Sequence, residues 1–309
     1  MIKVFIVGSS GTTGLRLQQR LLSRPEVELL TIDEKKRKNP AELKKLIAAS
    51  DITFLCLPDE AARQMAELAR DTSARIIDTS TAHRVEKGWR YGFPELSAGH
   101  YMAVETGTRI AVPGCHASGF VALIYPLIVS GILNKEYPLS CFSVTGYSGG
   151  GKAMINEYES PKRPPELQSP RQYALSQKHK HLKEMTAVCG LSSPPAFIPT
   201  VADYYSGIHL TVPLHTALLS KKPGVEGIKN ILTEHYQGCP LIRVVEPEVD
   251  FMAAEALTGK DYMEISVTGN DDRVLLHARF DNLGKGASGA AIQCFNIMSG
   301  LEETAGLVI

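Results

Sequence analysis

Ile2-Lys3-Val4-Phe5-Ile6-Val7-Gly8-Ser9-Ser10-Gly11-Thr12-Thr13-Gly14 begins as a β-branched run and ends in three glycines spaced GxxGxxG. The run reads as a buried parallel strand. After it, Leu15, Leu17, Leu21 and Leu22 recur at a period near 3.6, as an amphipathic helix requires. Glycine permits the tight turn, and a missing side chain lets backbone approach a pyrophosphate. The helix start adds N–H donors and a partial positive charge. In this strand–turn–helix setting the spacing points to dinucleotide binding through Gly8, Ser10, Gly11, Thr12, Thr13 and Gly14. The alternative is a tight connection with no ligand.

Working outward, strands are expected at Val27–Ile32, Ile52–Leu57 and Arg75–Asp78, and helices at Pro40–Ala49 and Asp59–Arg70. Strand alternating with helix is the pattern of a doubly wound parallel sheet. After about residue 135 the texture changes. Alternating runs at Leu139–Thr145, His209–Leu214, Ile242–Val245, Tyr262–Thr268 and Val274–Phe280, with helices at Arg171–Cys189 and Val225–Tyr236, predict an α+β domain with a largely antiparallel sheet. The segment from Ser160 to Pro170, with four prolines, reads as an exposed loop or lid. Ala287–Leu301 reads as a helix that returns to pack on the N-terminal half. The expected division is residues 1–114 plus 284–309, and residues 115–283.

Asp33 and Glu34, at the end of the second strand, are followed at once by Lys35, Lys36, Arg37 and Lys38. Acidic residues there suit a ribose hydroxyl, but the basic cluster, with Ser10 and Thr12, suits a 2′-phosphate. Lys35 and Arg37 therefore tip the reading to NADPH; the alternative is a solvated charged loop.

Lys plus Arg (33) equals Asp plus Glu (33), so no global field draws nucleic acid or an anionic membrane. The longest apolar stretch, Gly119 to Ile132, is broken by Pro126 and too short to span a bilayer. The N-terminus lacks a signal-peptide layout. Six scattered cysteines without a CxxC pair argue against a disulfide framework or a zinc cluster. Together these predict a cytoplasmic protein with reduced thiols.

Pro113-Gly114-Cys115-His116-Ala117-Ser118-Gly119 precedes a long apolar helix, roughly His116–Leu133. Cys115 is thus expected at a helix N-terminus, which favours the thiolate that attacks carbonyls. A proton shuttle is sought in Lys178-His179-Lys180-His181-Leu182-Lys183-Glu184. His179 and His181 are expected to point apart, one of them inward, with Glu184 placed to orient His181 on a helix. His209, within a strand, reads as structural. Arg84, after Asp78-Thr79-Ser80-Thr81-Ala82-His83, suits a carboxylate or phosphate clamp. No resident metal is expected, because the HxH pair has no convincingly spaced third ligand.

At these residues the sequence resembles the N-acetyl-γ-glutamyl-phosphate reductases, short form, relatives of the aspartate-semialdehyde dehydrogenases with a plan similar to glyceraldehyde-phosphate dehydrogenase. The resemblance runs through the Gly8–Gly14 turn, Leu57-Pro58, Asp78 to Arg84, Tyr91 to Leu96, Pro113-Gly114-Cys115, Gly146 to Lys152, His179-Lys180-His181 with Glu184, and Asp281 to Gly289. It implies Cys115 as nucleophile, His181 or His179 as acid/base, and Leu57, Pro58 and Asn282 at the cofactor. Arg84, Ser80, Ser148 and Glu184 would meet substrate. It further implies NADPH-dependent reduction of an acyl phosphate in arginine biosynthesis by a homodimer or homotetramer. Two positions depart from the family pattern: Thr200 stands where a histidine is usual, and His116 where the long form carries an aromatic. Aspartate-semialdehyde dehydrogenase, reduction of a carrier-protein-linked acyl phosphate, and a non-catalytic nucleotide-sensing regulator are the alternatives.

Overall fold

A computed structural model describes residues 1–247 and 250–309. The chain divides into two compact units, Met1–Gly114 with Ala287–Leu307, and Cys115–Gly286 with Val308–Ile309.

The first unit runs β1 (Ile2–Val7), α1 (Thr12–Leu22), β2 (Val27–Leu30), α2 (Pro40–Ala49), β3 (Ile52–Leu55), α3 (Asp59–Leu68), β4 (Arg75–Asp78), β5 (Arg90–Tyr91), α4 (Ala98–Thr106) and β6 (Arg109–Ala111). The six strands pair in parallel in the order β2-β1-β3-β4-β6-β5. Side chains alternate across a strand, so β1 feeds two cores. Val4 and Ile6 pack with Leu17 and Leu21 of α1, while Phe5 and Val7 pack with Leu43 and Ile47 of α2 and Met65 of α3. Asn39 caps α2 by accepting from the Ala41 and Glu42 amides, and Pro40 occupies the first helical position.

The second unit contains α5 (Cys115–Val129), β7 (Ser140–Gly146), α6 (Gly151–Tyr158), β8 (Arg171–Gln172), α7 (His181–Cys189), β9 (Ala196–Ala202), β10 (Ile208–His215), α8 (Val225–His235), β11 (Ile242–Val244), β12 (Met263–Gly269) and β13 (Arg273–Phe280). Its sheet has the order β11-β12-β13-β10-β7-β9-β8. Among the described residues it is largely antiparallel, with parallel pairing for β7 with β9 and β11 with β12. Helix α5 is apolar almost all round and correspondingly buried. Pro126 lies inside it and cannot donate to the Ala122 carbonyl, so the Tyr236 hydroxyl donates there instead at 2.7 Å.

One expectation changes. The segment 171–189 is not one helix: β8 pairs with β9, Ala174 and Gln177 take positive φ (54° and 55°), and α7 starts only at His181. The proline-rich 160–170 segment is largely exposed, as expected, with Leu167 buried against Tyr158 and Val201.

A π-helical turn, Gly284–Ser288, leads to α9 (Gly289–Met298). Ile292, Phe295 and Ile297 of α9 join the first unit's core beside Val4, Phe54 and Ile77.

Candidate active site

In the first unit, the glycine turn is shaped by close backbone approach. Gly8 has φ +87°, and a Cβ on it would lie 2.3 Å from the Cys56 carbonyl oxygen. A Cβ on Gly14 would lie 2.3 Å from the Gly8 oxygen. The Gly11 amide donates to the Gly8 carbonyl at 3.0 Å. Gly11 brings no capping side chain to α1, and the first turn of α1 holds no acidic residue. Ser10 is exposed, and Thr12 and Thr13 are half-buried along the same turn. Leu57 borders Gly8, and Pro58 precedes α3. Backbone donors and a dipole facing a side-chain-free cradle are the features a pyrophosphate needs, so these residues fit a dinucleotide. Lys35 sits in a short turn whose amide is capped by Asp33, and Arg37 pairs with Glu34 at 2.6 Å; both cations are exposed.

Buried Asp78, at the end of β4, organises the segment after it. It accepts from the Ser80 hydroxyl at 2.7 Å, and its Oδ2 lies 2.6 Å from His83 Nδ1. His83 also stacks on Trp89. Arg84 donates to the carbonyls of Val112 (2.9 Å) and Thr79 (3.2 Å), so it braces backbone.

In the second unit, Cys115 is the first residue of α5, where the positive end of the helix dipole favours an anion. Its Sγ and one ring nitrogen from each of His116 and His181 lie within 4.8 Å of one another. His116 is held at both ends: Nδ1 lies 2.8 Å from Ser143 Oγ, and Nε2 lies 2.7 Å from the Tyr173 hydroxyl. Burial, with His179 nearby, lowers the His116 pKa to about 3, so the ring is neutral. Burial beside Lys180 lowers His179 to about 4. Burial, with the Cys115 charge close by, raises Tyr173.

The two histidines of the HKH motif do not point apart. His179 lies before the helix and His181 is its first residue, so the 100° helical step does not relate them. Their rings meet edge to face at 4.7 Å, and the His181 amide donates to His179 Nδ1 at 3.2 Å. Glu184, on α7, is buried. His209 lies on the other face of the sheet. It pairs with Val144, one residue past Ser143, and its ring meets His277 at 3.1 Å. Thr200 is paired with Val144 on β7 and Gln172 on β8.

The loop after β13 is locked to this unit. Asn282 accepts from the Gly207 amide at 2.8 Å and donates to Ser148 Oγ at 3.1 Å. A Cβ on Gly286 would lie 3.0 Å from the Cys115 Cβ, so backbone passes directly beside the nucleophile.

Two family models match the chain. Residues 3–103 match the semialdehyde dehydrogenase NAD binding domain, and residues 115–282 match the semialdehyde dehydrogenase dimerisation domain. N-acetyl-gamma-glutamyl-phosphate reductase 2 of Nostoc sp. is 41% identical over 318 residues, covering 99% of each chain. The chain belongs to the N-acetyl-gamma-glutamyl-phosphate reductase family. A further member, N-acetyl-gamma-glutamyl-phosphate reductase 2 of Pseudomonas putida, is 40% identical and covers 98% of each chain. The family fold is shared more widely: aspartate semialdehyde dehydrogenase II from Vibrio cholerae superposes with a TM-score of 0.75 at 17% identity, covering 97% of this chain and 99% of that one.

Within this family member, sequence reading passed over Tyr173 and Ser143 and noted His116 only as a departure. Ser143 lies 27 positions from His116 and Tyr173 lies 57. Only the fold of β7 and the turn after β8 brings them to the head of α5.

Proposed function

We propose that this chain reduces N-acetyl-γ-glutamyl phosphate to N-acetylglutamate semialdehyde with release of phosphate, using NADPH, as a step of arginine biosynthesis. The observation that carries the reading is the Cys115 thiol at the start of α5 with His181 within 4.8 Å. The names of relatives at 40–41% identity supply the substrate.

The Cys115 thiolate attacks the acyl carbon, and first-turn N–H groups of α5 stabilise the oxyanion. The C–O bond to phosphate breaks, leaving a thioester on Cys115. NADPH, when bound, supplies a hydride to the thioester carbonyl carbon. His181 protonates the carbonyl oxygen and then takes that proton back as the C–S bond breaks. The products are an aldehyde and the restored thiolate. Of the two motif histidines, His181 is assigned the shuttle because its ring nitrogen is the one grouped with Cys115 Sγ; His179 packs beside it.

Residues 1–114 with 284–309 form the cofactor domain in this reading, and 115–283 the catalytic and oligomerisation domain. Gly8, Ser10, Gly11, Thr12, Thr13, Gly14, Leu57 and Pro58 hold the dinucleotide, with Lys35 and Arg37 at its 2′-phosphate. Asn282 fixes the loop beside Cys115, and Ser80, Arg84, Ser148 and Glu184 serve the substrate side. Two observations support a homo-oligomer: the matched dimerisation model, and an exposed Phe142 on the sheet face opposite α5. No helix among the described residues is long and apolar enough to cross a membrane. No disulfide joins the six cysteines among the described residues.

The test mixes protein, NADPH and acyl phosphate and follows loss of NADPH absorbance. Turnover with N-acetyl-γ-glutamyl phosphate and little with aspartyl phosphate is expected. Preference for aspartyl phosphate would replace the substrate assignment. NADPH binding without turnover on either would leave a sensor.

A further inference from the structure

The cluster at the head of α5 is also a ligand set. A thiolate and imidazole nitrogens are the donors that borderline divalent ions such as Zn²⁺ select. A tetrahedral ion with bonds of about 2.3 Å to sulfur and about 2.0 Å to nitrogen holds its ligand atoms roughly 3.5 Å apart. Cys115 Sγ and the nitrogens of His116 and His181 already lie within 4.8 Å of one another, all three inside one compact unit.

His116 is prepared for this in a second way. Its Nδ1 sits 2.8 Å from Ser143 Oγ, and Ser143 is fully buried. A ligating imidazole is held in just this manner, one nitrogen on the metal and the other on an outer hydrogen-bond partner. The nitrogen left for the ion is Nε2, which faces the Tyr173 hydroxyl. An ion at Nε2 displaces or shares that hydroxyl.

We propose that Cys115, His116 and His181 form an inhibitory site for a zinc-class divalent ion, with water or the Tyr173 hydroxyl as fourth ligand. Binding exchanges the thiol proton for a metal–sulfur bond and releases that proton to solvent. No electron transfer is involved, so a chelator reverses it. Occupation removes the nucleophile and the proton shuttle together; this consequence rests on the reductase reading, whereas the binding itself does not.

The test uses the full chain without NADPH or acyl phosphate. Titration with Co²⁺ should give the near-ultraviolet thiolate-to-cobalt band and the strong visible bands of a tetrahedral site, and Zn²⁺ should abolish both. Cys115→Ser should lose the thiolate band, and His116→Phe should weaken binding more than about tenfold, the scale on which zinc sites respond to lost support. On the unmodified protein, Zn²⁺ should protect Cys115 from iodoacetamide while Cys239 stays as reactive as before. A thiolate band that persists in Cys115→Ser, or unchanged Cys115 alkylation under saturating Zn²⁺, overturns the site. Unchanged affinity in His116→Phe overturns the three-ligand set. Inhibition of turnover is a separate arm: binding without inhibition would count against the reductase roles of Cys115 and His181, not against the metal site.

Discussion

The Tyr236 hydroxyl donates to the Ala122 carbonyl at 2.7 Å, four residues before Pro126. A side chain from α8's C-terminal end thus repairs the gap that a proline makes in α5. Tyr236→Phe leaves that buried carbonyl one donor short and should cost about 1–3 kcal/mol in urea denaturation. In a Pro126→Ala background the helix supplies its own N–H, and the cost should shrink. Equal costs in both backgrounds would disprove the repair.

Cys115→Ser should abolish reduction while NADPH binding stays within a few-fold, and iodoacetamide should label Cys115 first. Burial pushes Cys56 up to about 12 and raises Cys141 and Cys189 further, so these thiols resist ionisation. Peptide mass mapping of a brief alkylation reads the order. Comparable labelling of Cys56 and Cys115 would contradict a selectively activated thiolate.

His181→Asn should lower turnover by about 10²–10⁴-fold, the scale of a lost proton shuttle, whereas His179→Asn should act mainly on substrate affinity. His209 offers no fallback, because its side chain leaves the sheet on the face opposite Ser143. The reverse pattern, with His179 the severe variant, would move the shuttle two residues back, to the loop before α7.

Acid should destabilise the fold through its neutral histidines. His116 titrates near 3 in the folded chain, below its ordinary 6.5. The unfolded state therefore takes up a proton first. The contribution of the neutral ring is complete above pH 6.5 and is lost as the pH falls from there toward 3, at about 1.4 kcal/mol per pH unit. His116→Gln should flatten that limb when urea midpoints are compared between about pH 7 and about pH 5. An unchanged acid slope would mean that His116 is not held neutral.

Lys35→Ala combined with Arg37→Ala should weaken NADPH binding about tenfold and leave NADH binding unchanged, the signature of lost 2′-phosphate contacts. Equal losses for both nucleotides, or none, would remove these residues from the cofactor assignment.

Local signals were readable wherever they sufficed. The helix expected at Pro40–Ala49 is α2 with the same bounds, and Arg75–Asp78 is likewise delimited in sequence as in structure. Strand β9 escaped because Pro199 sits inside it and Pro194-Pro195 immediately precede it. Its identity as a strand depends on pairing with β7, more than fifty residues earlier in the chain. The long helix expected at 171–189 failed for the same reason: Gln172 pairs with Thr200, and the left-handed turns at Ala174 and Gln177 follow. At the site, Cys115 and the HKH motif were legible as residue types in telling local settings. Nothing local shows that His116 is suspended between Ser143 and Tyr173, since both partners arrive through the fold.

The placement of α9 governs the order in which the molecule can be made. Val4, Phe54 and Ile77 come off the ribosome early, yet Ile292, Phe295 and Ile297, which cover them, come almost last. The first unit's core must stay open, shielded by chaperones or by transient collapse, until nearly the whole polypeptide has emerged. The second unit, continuous from Cys115 to Gly286 apart from Val308–Ile309 at the chain end, has its whole core from that one stretch and should become protease-resistant first. Pulse proteolysis of a released chain truncated after Gly286 should find residues 115–286 protected and residues 1–114 cleaved. Early protection of residues 1–114 would show that the opening segment folds without its last helix.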